Sequence, residues 1–95
     1  MKQYMIDFTG VKTVYNLHEA IKNGLNLSSD YGMNMDALWD SITGGTIEYP
    51  ATIYLMGLNT LPRGLNEKRN LMIEVFNEVI DYYDDGRFKF KTIDS

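Results

Sequence analysis

Tyr4, Ile6 and Phe8 alternate with Met5 and Asp7 ahead of a turn at Thr9-Gly10, a period of two that predicts a short first strand. Helical spacing takes over at Val14, Leu17, Ile21 and Leu25, with Glu19, Lys22 and Asn23 on the other side. This predicts an amphipathic helix whose last turn is weakened by Gly24. Leu27-Ser28-Ser29-Asp30-Tyr31-Gly32 is a run of turn formers. A second helix is expected from about Met33 to Thr43, with Met35, Leu38, Trp39 and Ile42 on one stripe and Gly44-Gly45 as its stop. Ala51 to Met56, apolar and β-branched after Pro50, reads as a buried central strand. Beyond a loop over Gly57 to Gly64, the positions Met72, Val75, Phe76, Val79, Ile80 and Tyr83 keep a helical period from Asn66 to Tyr83, with Asn66 as the N-cap. Asp84-Asp85-Gly86 closes that helix. Phe88, Phe90 and Thr92 then alternate with Arg87, Lys89 and Lys91 in a last strand whose lysine-rich outer face suits a sheet edge.

The order β-α-α-β-α-β joins successive strands through helices, as parallel strands require. The expected fold class is therefore a two-layer α/β domain with a three-stranded parallel sheet and right-handed connections. Ninety-five residues suffice for one such domain, spanning 1–95, and the apolar share of 44% suffices for a real core. Three helices leave open whether one face of the sheet stays uncovered. The absence of cysteine excludes disulfides, thiolate metal sites and cysteine nucleophiles, and fits a reducing compartment, the cytoplasm. Asp7 interrupts what would be the apolar stretch of a leader, and no run approaches membrane-spanning length, so neither export nor membrane insertion is expected.

Thirteen acids against nine bases give a net charge of -4, which opposes docking on nucleic acid and favours a basic partner. Where the acids sit matters more. Asp36 and Asp40 are four residues apart and so stack on one helix face. Like charges at that spacing repel, Asp is a poor helix former, and Asp40 lies near the negative end of the helix dipole. Either these carboxylates are kept for a partner or they form a solvated acidic face. Gly32 and Gly44 flank the helix, where they serve as turn and cap residues or let a partner approach the backbone. Trp39 falls on the apolar stripe, a core position that leaves its rim free for contact. His18, the one histidine, lies on the first helix away from the acids and reads as structural. No Ser/His/Asp arrangement or phosphate-binding glycine loop accompanies the acids, and two carboxylates on one convex helix face lack the cleft of a glycosidase-type pair, so catalysis is not expected. Mg²⁺ needs only one or two carboxylates and survives better as an alternative, although neither a metal nor a cofactor is the expectation. Asp81, Asp84 and Asp85, with Glu74 and Glu78 upstream, are either a solvated face or, if they flank the second helix, an extension of its negative field.

Tyr31-Gly32-x-Asn34-x-Asp36-Ala37-Leu38-Trp39-Asp40, followed by Thr43-Gly44 and Glu48-Tyr49-Pro50, resembles the signature of the barstar family. Leu17-His18 and Val75-Phe76-x-Glu78 fall in register with it. The resemblance implies a bacterial, intracellular inhibitor of barnase-like guanyl-specific ribonucleases, without catalysis or cofactor of its own and monomeric when free. Its second helix and the preceding loop would plug the enzyme's active site, with acids in the place of RNA phosphates. Carried over, Asp40 is the central anchor facing the enzyme's catalytic Arg and His groups, and Asp36 pairs with a further basic residue. Tyr31, Gly32, Asn34, Trp39, Thr43 and Gly44 belong to the contact segment, and Glu78 is an acidic contact from the third helix. The partner would be a basic, extracellular-type ribonuclease made by the same cell, or a ribonuclease toxin against which the chain is an immunity protein. The chain departs from the pattern at Asp30, where an aromatic contact is expected, at Gly45, in place of a second tryptophan, and at Met33, in place of an acid. One residue is also inserted between Gly44 and Glu48. The alternative expectation is an interaction module of the same fold with a different basic partner.

Overall fold

The computed structural model describes residues 1–93. It contains strand β1 (Lys2–Asp7), helices α1 (Val14–Gly24) and α2 (Met35–Thr43), strand β2 (Ala51–Met56), helix α3 (Asn66–Tyr83) and strand β3 (Phe88–Ile93), the predicted order β-α-α-β-α-β. The strands form one parallel sheet in the order β1-β2-β3. Tyr4 lies beside Ile53 and Ile53 beside Phe90, while Ile6, Leu55 and Thr92 form the next row.

The strands advance in one direction across the sheet, so right-handed crossovers put all three helices on the same side. Burial agrees: Tyr4, Ile6, Ile53, Leu55 and Phe88 are buried, whereas Met5, Lys89, Lys91 and Ile93, on the opposite face, are exposed. This settles the question that helix count left open. The apolar stripes converge on one core, with Leu17 and Ile21 from α1, Leu38 and Ile42 from α2, and Met72, Phe76 and Val79 from α3.

Several boundaries move for identifiable reasons. α2 starts at Met35 rather than Met33, because Met33 adopts a left-handed φ of 57° and Asn34 is the N-cap, its side-chain oxygen accepting the Ala37 N–H at 2.7 Å. Asn66 is not the N-cap of α3. A short 3-10 turn over Arg63–Leu65 runs straight into that helix, so Asn66 already has helical backbone angles, and Leu65 takes the cap position with no side-chain bond. β1 ends at Asp7, and Phe8 follows with its N–H still bonded to Met56 and its ring fully buried. Gly24 does more than weaken α1. A Cβ there would lie 2.6 Å from the Met5 carbonyl oxygen and 2.8 Å from Ile6 Cα, so only glycine lets α1 lie this close to β1. Among the described residues no helix is long and apolar enough to cross a membrane, and no cluster of three or more potential metal ligands occurs.

Candidate functional site

α2 divides cleanly. Leu38 and Ile42 are fully buried, which turns Asp36 and Asp40 outward to solvent. Asp36 sits in the first turn, where the dipole favours it, and Asp40 in the last, where the dipole opposes it. Among the described residues the one ion pair joins Asp85 and Arg87 at 2.7 Å, so neither carboxylate of α2 has a cationic neighbour. The sequence reinforces this isolation: no Lys, Arg or His occurs between Lys22 and Arg63, nor between Arg69 and Arg87.

α2 packs against α3, which lays these two base-free segments side by side. Asp36, Trp39, Glu74 and Glu78 line one groove of about 350 Å³ whose apolar floor includes Met35 and Val75. Glu74 and Glu78 of α3 thus flank α2 and extend its negative field, whereas Asp85 is paired with Arg87. Trp39 is half-buried, its ring edge-on to Tyr82 with centroids 5.3 Å apart, and its carbonyl accepts the Thr43 hydroxyl at 2.8 Å.

At the other end of the helix, Asp40 shares a concavity of about 370 Å³ with Asp30, Tyr31, Gly32 and Ser41. Tyr31 is only 7% exposed. Its hydroxyl lies 2.8 Å from His18 Nδ1 and 3.4 Å from the Asn34 carbonyl oxygen, so it fastens the loop before α2 to α1. Burial pushes the Tyr31 phenol well above its ordinary pKa. His18 is held below its usual value by burial first and by the positive charge of Lys68 second, which keeps the imidazole neutral beside that phenol. Gly32 and Asn34 are exposed, and Asn34 spends its side chain on the N-cap. Gly44 is the C-cap, and a Cβ there would lie 2.5 Å from the Asp40 carbonyl oxygen, so the chain's own backbone requires glycine at this position. Gly45 is exposed, with a φ of 93°.

The expected residues therefore fall into two adjoining groups, Tyr31, Gly32 and Asp40 around the hollow and Asp36, Trp39 and Glu78 in the groove, with Asn34, Thr43 and Gly44 at the helix ends. Sequence reasoning missed the partners of the C-terminal end. The Tyr49 hydroxyl donates to the Ile42 carbonyl at 2.5 Å, and the Tyr83 hydroxyl lies 3.5 Å from the Thr43 carbonyl oxygen. Tyr83 was visible only as an apolar helix position, and no periodicity announces a bond over forty residues.

Chemically, the surface offers unpaired carboxylates on a fixed helix to guanidinium, ammonium or imidazolium donors. Fold and surface together define a small two-layer α/β domain that displays an acidic helix. Residues 1–95 match the family model described as Barstar (barnase inhibitor), and the chain belongs to the barstar family. A Bacillus subtilis (strain 168) protein named "Putative ribonuclease inhibitor YrdF" is 31% identical over 78 residues, which cover 82% of this chain and 85% of that protein.

Proposed function

We propose that this protein inhibits a barnase-like ribonuclease by seating α2 and the loop before it in the enzyme's active site. The observation that carries the reading is the pair Asp36 and Asp40, outward on one helix with no ion-pair partner among the described residues, in a chain of the barstar family. A ribonuclease must hold RNA phosphates in a basic cleft, and carboxylates on a preformed helix compete for the same donors without offering a bond to cleave. Because the helix is already ordered, little conformational freedom is lost on binding. In this reading Asp40 is the central anchor, Asp36 and Glu78 meet further basic groups, and Tyr31, Gly32, Asn34, Trp39, Thr43 and Gly44 shape the contact surface. The protein acts as one folding unit inside the cell, monomeric until it meets its target, and guards against a self-made or an invading enzyme. Asp30 on the wall of the hollow, and Gly45 beside the C-cap, make this rim more acidic and less aromatic, which suits an enzyme whose facing loop is itself basic.

The test is titration of RNA cleavage by several barnase-type enzymes. Inhibition should saturate at one inhibitor per enzyme, and association should slow as salt rises. Undiminished cleavage in excess protein, across all the enzymes, refutes the proposal and favours an interaction module with another basic partner.

A further inference from the structure

A helix leaves its last carbonyls without partners inside the helix. α2 carries no basic residue in its last turn to meet them. Ile42 and Thr43 instead turn their carbonyls toward the phenols of Tyr49, just ahead of β2, and Tyr83, the last residue of α3. The two rings pack edge to face with centroids 5.0 Å apart. The Arg87 guanidinium lies 4.6 Å over the Tyr83 ring and 6.0 Å from the centre of the Tyr49 ring, and Asp85 grips that guanidinium through two nitrogens. Burial pushes the Tyr49 phenol far above its ordinary pKa, so it remains a donor throughout the physiological range. The last turn of α2, which carries Asp40, is thus tied to α3 and to the entry of β2 by groups outside the helix. Asp36 lies at the other end, two residues from the Asn34 cap.

We infer that Tyr49, with Tyr83 beside it, is a positioning residue for Asp40: its hydroxyl holds the last turn of α2 so that the carboxylate keeps one direction. This rests on the proposal that Asp40 anchors a ribonuclease. Replacement by Phe isolates the hydroxyl, because the ring contacts with Tyr83 and Phe88 survive.

The test uses the full chain with Tyr49→Phe and Tyr83→Phe, each alone and combined with Asp40→Ala or Asp36→Ala, and measures affinity for a barnase-type enzyme. Tyr49→Phe should weaken binding roughly 3- to 10-fold in the wild-type and Asp36→Ala backgrounds, the ordinary worth of one hydrogen bond. In the Asp40→Ala background the loss should nearly vanish, because there is no carboxylate left to aim. An equal loss in all three backgrounds, as a merely structural role would give, overturns the inference, and so does no loss in any. Amide exchange provides an arm that needs no partner. Tyr49→Phe should speed exchange roughly 3- to 10-fold at Ser41 to Gly44 and leave Leu17 to Ile21 unchanged. Uniform acceleration, or none, overturns the claim that the phenol holds this turn. If the wild-type chain binds none of the enzymes, the inhibitor reading fails, and the exchange arm still decides whether Tyr49 fixes the turn that carries Asp40.

Discussion

Asp40→Ala should strengthen the fold while it weakens recognition, and the opposite signs make it the sharpest test of the acidic helix. The side chain is exposed, and among the described residues it has no ion-pair partner to lose. Its removal relieves repulsion from Asp36 one turn away, about 0.2 to 0.5 kcal/mol. It also relieves an unfavourable charge in the last turn, about 0.3 to 1 kcal/mol before salt screening. Alanine is in addition the best helix former, ahead of Asp by as much as about 0.7 kcal/mol. With screening allowed for, the variant should gain about 1 kcal/mol, a rise in Tm of about 4 to 8 °C for a domain of this size. In a complex the same carboxylate would be desolvated against basic groups, and its loss would strand them, at a cost on the order of 3 kcal/mol or about two decades in affinity. Thermal unfolding of the free protein and titration against a barnase-type enzyme read the two effects separately. A lower Tm would mean that Asp40 supports its own fold, and an unchanged affinity would remove it as the anchor.

Two further outcomes follow from the interior. The folded-state pKa of His18 is depressed, so below pH about 6.5 the unfolded chain takes up a proton that the native ring resists. Stability is therefore complete above that pH and falls as the pH drops from about 6.5 toward the folded value; urea midpoints at pH 7 and 5.5 should show this, and an identical slope in His18→Gln would assign the loss elsewhere. Gly24→Ala should destabilise by about 2 kcal/mol despite the usual helical preference for alanine, because its Cβ meets the Met5 carbonyl. A raised urea midpoint would show that α1 can shift away from β1 freely.

Periodicity alone placed all six elements in order, because each helix and strand buries a stripe whose spacing is written locally. Ala51 to Met56 and Asn66 to Tyr83 match the expected spans, since their apolar patterns are long and unbroken. The acidic pair at Asp36 and Asp40 was legible for the same reason: four residues on a helix is one face, whatever surrounds it. What failed locally were the ends, where Asn34 rather than an earlier residue caps α2 and the turn over Arg63–Leu65 took the cap away from Asn66. Caps depend on where the incoming chain turns, which hydrophobic spacing does not record.

The sequence by itself determined the element order, the parallel sheet and the outward acids, because these follow from backbone geometry and the spacing of apolar side chains. Only the tertiary structure decided that all helices share one face of the sheet, that Tyr31 is spent on His18, that Gly24 is a contact point, and that Tyr49 and Tyr83 meet the end of α2. Each of these depends on groups far apart in the chain coming within a few ångströms, and such distances exist only once the layers have packed.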